Sequence, residues 1–220
     1  MTSGILSPVF LQEAGRAGKG TPVGKIILDT QFADPIISSI SCTGEIKVAT
    51  TKNGAPLVET YTDLDGETLS IQADANTQIV ISGAEITACE IGENSDYTKI
   101  SVKNTALTQL YCNGCHALTA LDLSKNTALT QLYCNNCHAL TALDLSKNTA
   151  LTQLYCESCA KLVSISYPAT NEGVSTAIAN AITAAENTTG TVYTDSEGAY
   201  YSTIADAATA KGWTIEQMPE

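Results

Sequence analysis

The apolar positions in the middle of the chain recur with one fixed spacing. From Leu107 they read Leu-x-x-Leu-x-Cys-x-x-Cys-x-x-Leu, and the next eleven residues repeat that form with Leu and Asn in place of the two Cys. The segment begins at Ala106, returns almost unchanged 22 residues later at Ala128, and begins a third time at Ala150. A period of about 20–29 residues with this leucine spacing predicts a stack of short parallel strands and turns, in which each repeat buries its leucines against the next.

The same spacing continues upstream of the duplicated segment in a weaker form, beginning at Ile86. There, Ile91 and Asn94 occupy the two positions that Cys112 and Cys115 occupy one repeat later. A buried packing position tolerates such an exchange, whereas a metal-ligand position does not.

The two ends of the chain carry other patterns. Before the repeats, apolar and polar positions alternate between turn signals such as Asn53-Gly54, which predicts antiparallel strands joined by hairpins. After the repeats, strand-like stretches alternate with two Ala-rich helical stretches, which predicts parallel crossovers. The segment "DLDGE" at 63–67 invites a calcium interpretation, but it lacks the third acidic position and the distal Glu of a calcium loop, so we predict a hairpin turn there.

We therefore predict an α/β solenoid. Its leucine-rich-repeat coils of about 22 residues have mainly β/turn character, and an N-terminal β cap and a C-terminal α/β cap cover its ends, because terminal coils otherwise expose apolar faces. The predicted segments are a flexible N-terminal segment (1–23), an antiparallel β capping unit (24–82), the leucine-rich repeat solenoid (83–165) and the C-terminal cap (166–220).

The motifs "NTALTQLYC" and "LTALDLSKN" resemble the leucine-rich repeat proteins abundant in gut Bacteroidetes and the cysteine-ladder repeats of internalin J. The resemblance covers residues 86–165. It implies a solenoid fold and a role in cell adhesion or protein–protein interaction, since none of these families is defined by an active site.

Six of the eight cysteines lie in the repeats, where two Cys-x-x-Cys pairs stand 18 residues apart at zinc-ribbon spacing. A zinc site, disulfides and a ladder of packed free thiols are the three interpretations. Residues one period apart in a parallel stack lie about 4.8 Å apart, so the cysteines form columns rather than a tetrahedral ligand set. We favour the ladder, with no metal and no cofactor. Its members are Cys112, Cys134 and Cys156 facing inward, Cys115, Cys137 and Cys159 at the turn, and Asn104, Asn126 and Asn148 at the equivalent turn of the other half-repeat. His116 and His138 are available as further ligands, but we interpret them as exposed turn residues.

The outward positions of the same repeats predict a glutamine column beside a tyrosine column. Their members are Gln109, Gln131 and Gln153, and Tyr111, Tyr133 and Tyr155. Tyrosine supplies large contact area at low entropic cost, which favours recognition. The alternative is purely structural, because tyrosine also has high β-propensity and stacks well. On the opposite side Asp122 and Asp144 repeat, with Lys125 and Lys147 expected to balance their charge.

Composition then narrows the function classes. The chain has 11 Lys and Arg against 23 Asp and Glu, a net charge of −12, which argues against nucleic-acid phosphates and anionic membrane surfaces as partners. No run of 18 apolar residues exists, so we predict no membrane insertion. The N-terminal sequence lacks the pattern of a secretory signal. We expect the cell surface if a leader was removed, and otherwise the cytoplasm or a phage particle.

No Ser/His/Asp set or Gly-rich phosphate loop stands out, and both histidines lie in equivalent repeat positions. We expect a non-enzymatic binding or adhesion module that recognises a protein or a glycan through its Gln/Tyr face. The alternative is a structural component of a cell-surface or phage particle assembly.

Overall fold

A computed structural model describes residues 24–31, 36–91, 97–103, 106–195 and 198–218. Within these residues the chain is mostly β-strand, with fourteen strands and two helices. The predicted flexible segment 1–23 lies outside the described residues, as do Asn94 and Asn104.

Antiparallel strands form the first part of the described residues. They are β1 (Gly24–Thr30), β2 (Ile36–Lys52), β3 (Ala55–Thr62), β4 (Asp65–Ser70) and β5 (Gln78–Ile91). Asn53 and Gly54 form the predicted two-residue turn between β2 and β3, with φ of 53° and 73°. Asparagine and glycine favour this turn because they adopt positive φ at the lowest cost.

The "DLDGE" segment does not form the predicted hairpin. The strands on either side of it, β3 and β4, both pair with β2 rather than with each other, so they lie end to end along one edge of that strand. The 17-residue length of β2 permits this, because it offers enough main-chain groups for two partners in succession. Asp63 stabilises the bend by accepting a 2.6 Å hydrogen bond from the Gly44 N–H.

Three short strands stack in parallel on the last part of β5, and we call these four strands the first stack. They are β7 (Gln109–Tyr111), β9 (Gln131–Tyr133) and β11 (Gln153–Tyr155). Leu110 lies opposite Cys89 on one side and Leu132 on the other, and all three side chains are buried. The predicted 22-residue period therefore matches the register of the repeats, and a one-residue slip would turn the leucines to the outer face.

A second stack contains the strands of the other half-repeat. β6 (Tyr97–Val102) pairs with β8 (Ala120–Asp122), while β10 (Ala142–Asp144), β12 (Ser164–Ser166), β13 (Thr191–Thr194) and β14 (Thr214–Gln217) form a separate parallel sheet. β8 and β10 contact each other but belong to different sheets. The break lies between two repeats whose sequences are almost identical.

Strands β1 and β2 cover the N-terminal edges of both stacks. β1 lies antiparallel between β5 and β6. β2 pairs with residues 88–90 of β5 on the edge opposite β7. Residues 88–90 of β5 are therefore paired on both edges, so they offer no unpaired main-chain groups to which another strand could add. The predicted boundary after residue 82 falls inside β5, so one continuous strand serves both predicted segments.

Two helices follow the last repeat, α1 (Glu172–Ala184) and α2 (Tyr201–Lys211), in the predicted order with β12, β13 and β14. Asn171 begins α1 by accepting a hydrogen bond from the Val174 N–H, and Gly212 ends α2 in the left-handed conformation with φ of 83°. The apolar face of α1 packs against the end of the first stack, where the Cys156 thiol approaches the Ala177 oxygen at 3.8 Å. Helix α1 therefore contacts the repeat that has no further β7-like strand after it.

Candidate binding surface and cysteine columns

The inward cysteines substitute for leucine in the core. Cys112, Cys134 and Cys156 are all buried at the position that Leu123 and Leu145 hold in the other half-repeat. A free thiol packs as a small hydrophobe, so this column needs no ligand to be stable.

The turn cysteines donate the same kind of hydrogen bond that asparagine donates at the equivalent turn of the other half-repeat. The Cys137 thiol donates to the main-chain oxygen of Cys112 at 3.3 Å, and the Cys159 thiol donates to that of Cys134 at 3.3 Å. In the other half-repeat the Asn148 amide donates to the Leu123 oxygen at 3.2 Å and to the Asn126 oxygen at 2.8 Å. Each donor satisfies a main-chain oxygen of the preceding repeat, and such oxygens are costly to leave unpaired when buried.

The two turn types differ in backbone conformation. The residue before the second cysteine is in the left-handed region in every repeat, at Gly114 (φ 69°), Asn136 (φ 59°) and Ser158 (φ 60°). Glycine and asparagine adopt this conformation readily, whereas serine adopts it at some cost. Each Cys-x-x-Cys motif therefore contains a position, just before its second cysteine, that favours residues able to adopt positive φ.

Burial and hydrogen bonding raise the pKa of four of the buried thiols. Burial raises the pKa of Cys89 to about 12, and it raises the pKa of Cys156 as well. The pKa values of Cys112 and Cys134 are raised by hydrogen bonds with the thiols of Cys137 and Cys159, and further by burial. The pKa of Cys159 is instead lowered by its hydrogen bond with Cys134. Because the thiolate is the nucleophile, thiols with raised pKa are poor nucleophiles at neutral pH.

All eight cysteines are free thiols in the structure. Among the described residues there is no group of three or more His, Cys, Asp or Glu side chains placed to hold a metal ion.

The tyrosine column is a continuous stack of rings. The ring centroids of Tyr111 and Tyr133 are 4.5 Å apart at 17°, and those of Tyr133 and Tyr155 are 4.6 Å apart at 12°. Tyr155 ends the stack and has 44 % of its surface exposed. We call the six-residue surface formed by this stack and the neighbouring glutamines the Gln/Tyr face.

Glutamine amides fix the hydroxyls of this face. Tyr111 donates to the Gln131 Oε1 at 3.2 Å, and Tyr133 donates to the Gln153 Oε1 at 3.1 Å, each reaching one repeat forward. Tyr155 has no glutamine one repeat ahead of it, because α1 follows that repeat instead. Desolvation, followed by the neighbouring Tyr111 and Tyr155, raises the pKa of Tyr133, so its hydroxyl is a hydrogen-bond donor at neutral pH.

The opposite face carries Asp122 and Asp144, each accepting a hydrogen bond from the N–H two residues ahead. Asp122 also accepts from the hydroxyls of Ser124 and Ser101, at 2.7 and 3.0 Å. The hydrogen bond from the Ser124 hydroxyl lowers the pKa of Asp122 the most, and the positive charge of Lys103 lowers it by a smaller amount. The predicted charge balance by Lys125 and Lys147 does not appear as an ion pair of either lysine with another described residue.

A separate open cleft of about 390 Å³ lies beside the ends of β1 and β6. All of its lining residues are polar: Asp29, Thr30, Gln31, Asn76, Thr77, Gln78 and Thr98. Asp29 accepts a hydrogen bond from Gln78 at 2.9 Å. Among the described residues that line this cleft, the carboxylate of Asp29 and the threonine hydroxyls are the nucleophilic groups.

In the described part of the chain, neither helix is long and apolar enough to cross a membrane. Comparison with protein-family models, with curated proteins and with solved structures gives no match.

Proposed function

We propose that this chain is a non-catalytic leucine-rich-repeat binding module. In this proposal the two strand stacks are the coils of a solenoid, β1 to β4 form its N-terminal cap, and α1 to β14 form its C-terminal cap. The Gln/Tyr face binds a protein or a glycan. The single observation that carries the proposal is the unbroken tyrosine stack, whose inner hydroxyls are held by glutamine amides.

Pre-organisation is the first support. A binding surface loses less entropy when its side chains are already fixed, and here each inner ring is held by its stacked neighbours and by a hydrogen bond. Tyrosine also has only two side-chain torsions to fix. A packing role alone does not require the hydroxyls to be aligned by amides of the following repeat.

The geometry also limits how a ligand can bind. Both faces of Tyr133 are covered by other rings, so a ligand at the middle of the column meets ring edges and hydroxyls rather than ring faces. The outer ring face of Tyr155 has no aromatic neighbour, which makes it the place for a sugar ring or a flat side chain to stack.

The glutamines add donors of their own. The amide nitrogens of Gln109, Gln131 and Gln153 make no hydrogen bond to other described residues, while the oxygens of Gln131 and Gln153 accept from Tyr111 and Tyr133. Three amide donors at strand spacing suit a row of hydroxyl or carbonyl acceptors on the ligand.

The spacing of the tyrosine rings favours some ligand geometries over others. Side chains on one side of an extended peptide recur every 6.6 Å or so, which does not match rungs 4.5 and 4.6 Å apart. A protein surface of stacked strands, or a chain of sugar hydroxyls, can match the rungs more closely. The net charge of −12 further favours neutral or cationic ligands.

The test is a binding screen against a glycan array and a panel of β-sheet surface proteins. A triple Tyr111→Thr, Tyr133→Thr, Tyr155→Thr variant removes the rings while keeping high β-propensity. The matched control is the double variant Asp122→Asn, Asp144→Asn on the opposite face.

We expect the triple variant to keep its fold by circular dichroism and to lose any ligand that both wild type and the control retain. A ligand that binds the triple variant as tightly as wild type would overturn the proposal. Ordered self-association with no ligand would favour an assembly component instead.

A further inference from the structure

A second aligned pair of side chains lies outside the Gln/Tyr face. His116 and His138 each follow the second cysteine of a pair, and both are exposed. Their ring centroids are 4.9 Å apart and their planes differ by 4°. These two imidazoles are therefore held parallel, in register with the repeats.

The hydrogen bonds of these rings fix which nitrogen faces outward. The His116 Nδ1 lies 2.9 Å from the Asn136 main-chain oxygen, and the His138 Nδ1 lies 2.8 Å from the Ser158 main-chain oxygen. A carbonyl oxygen can only accept, so Nδ1–H is the donor in both rings. In a neutral imidazole the lone pair then lies on Nε2. Neither Nε2 makes a hydrogen bond to another described residue.

This is the arrangement that metal-binding histidines use. A ligating imidazole donates its other ring N–H to a carbonyl or carboxylate, which sets the tautomer and the ring orientation. Here both rings have such a partner, and each partner residue is in the left-handed turn position, at Asn136 and Ser158. The orienting group is thus part of the repeat itself.

To bind one ion together, the two imidazoles must bring their Nε2 atoms close to each other. Two nitrogens that bind one ion at about 2.0–2.1 Å lie about 3–4 Å apart. The rings are parallel with centroids 4.9 Å apart, so their Nε2 lone pairs run side by side, and binding one ion requires the rings to tilt toward each other until these lone pairs converge. Both rings are exposed, and the tilt bends the two Nδ1 hydrogen bonds rather than displacing buried side chains. The acidic protein also attracts cations.

We infer that His116 and His138 together bind one divalent transition-metal ion through their Nε2 atoms, with water in the remaining coordination positions. Imidazole ligands suit Zn²⁺, Ni²⁺ and Cu²⁺. The site is separate from the cysteine columns, whose thiols are buried.

The experiment is a titration of the full chain with Ni²⁺ by calorimetry, in a buffer containing a phosphine reductant. Ni²⁺ alone is the probe, since it does not oxidise thiols. We expect one saturable site, and a loss of about tenfold or more in affinity for His116→Gln and for His138→Gln alone, because each removes one arm of a chelate. Glutamine is chosen because its amide can still donate to the main-chain oxygen that the imidazole used.

The matched control is the Asp122→Asn, Asp144→Asn double variant, which keeps both imidazoles and should bind Ni²⁺ as wild type does. As a second readout, paramagnetic Ni²⁺ should broaden the ring proton signals of His116 and His138 before other signals. The inference is overturned if wild type shows no saturable binding, or if both glutamine variants bind as tightly as wild type. The outcome is independent of any ligand at the Gln/Tyr face.

Discussion

The thiol of Cys137 donates a hydrogen bond to the main-chain oxygen of Cys112, 3.3 Å away and 25 residues earlier. Asn148 makes the same contact with the Leu123 oxygen, also 25 residues earlier, at 3.2 Å. Cysteine and asparagine are therefore alternative donors at one structural position. The Cys-x-x-Cys motif is explained by this contact together with packing, without reference to a metal.

This equivalence predicts the effect of two substitutions at Cys137. Cys137→Ala should lower the free energy of unfolding by about 1–3 kcal/mol, because it removes the donor and leaves a small cavity. Cys137→Asn should cost less, since an amide of similar volume can replace the thiol as donor. Urea unfolding of both variants measures the difference. An Asn variant less stable than the Ala variant would show that the two turns are not interchangeable.

The left-handed turn residue gives a second prediction. Ser158→Gly should raise the free energy of unfolding by about 0.5–1 kcal/mol, because glycine adopts φ of 60° without the steric cost that serine bears. Thermal unfolding measures the change. Gly114→Ser is the reverse substitution and should destabilise by at least this amount, because Gly114 is buried whereas Ser158 is exposed. Equal stability of all three proteins would contradict the role we give this position.

Asp122 provides a pH-dependent prediction. Its folded-state pKa is lowered, first by the Ser124 hydroxyl, so its contribution to stability is present above the unfolded-state pKa and is lost as pH falls through the lower folded-state pKa. Asp122→Asn should therefore reduce stability at pH 7 and have less effect near pH 3. Asp144→Asn is the control, because Asp144 accepts from the Ser146 N–H but has no bond from a serine hydroxyl. A stability difference between wild type and Asp122→Asn that does not change with pH would contradict this account.

Thiol reactivity gives a fourth prediction. Burial raises the pKa of Cys89 to about 12, and the pKa values of Cys112, Cys134 and Cys156 are raised as well, so few thiolates are available at pH 8. A chromogenic disulfide reagent should react slowly with the native protein and rapidly in urea. Cys159, whose pKa is lowered, should be the first to react. Peptide mapping after brief labelling identifies that residue, and rapid modification of all the column thiols in the native protein would contradict their burial.

The repeats were predictable because their order is local. The 22-residue period predicts which residues lie side by side, and the structure confirms that register at Leu110 and Leu132. The donor role of Asn148 followed from the position of asparagine at a turn. The cost at Ser158 has a signal in the sequence, because glycine and asparagine, which adopt positive φ readily, hold the same position in the other two repeats.

The N-terminal pairing was harder to predict. A strand pattern shows which face is buried but not which strand is the neighbour, so the pairing of β2 with β3, β4 and β5 could not be derived. The same limit explains the wrong hairpin at "DLDGE". The orientation of the two histidines depends on main-chain oxygens in the following repeat, and that detail has no signal in residue type alone.

The most direct test of the central claim, that the repeat cysteines are packed free thiols, is a combined metal and thiol measurement. The protein is purified under mild reductant and dialysed against a chelator, and bound metal and titratable thiols are then measured after unfolding. The account predicts eight thiols per chain and no retained metal. About one zinc per chain, whose removal by a stronger chelator melts the repeats, would contradict it, and so would fewer thiols without metal, which would indicate disulfides.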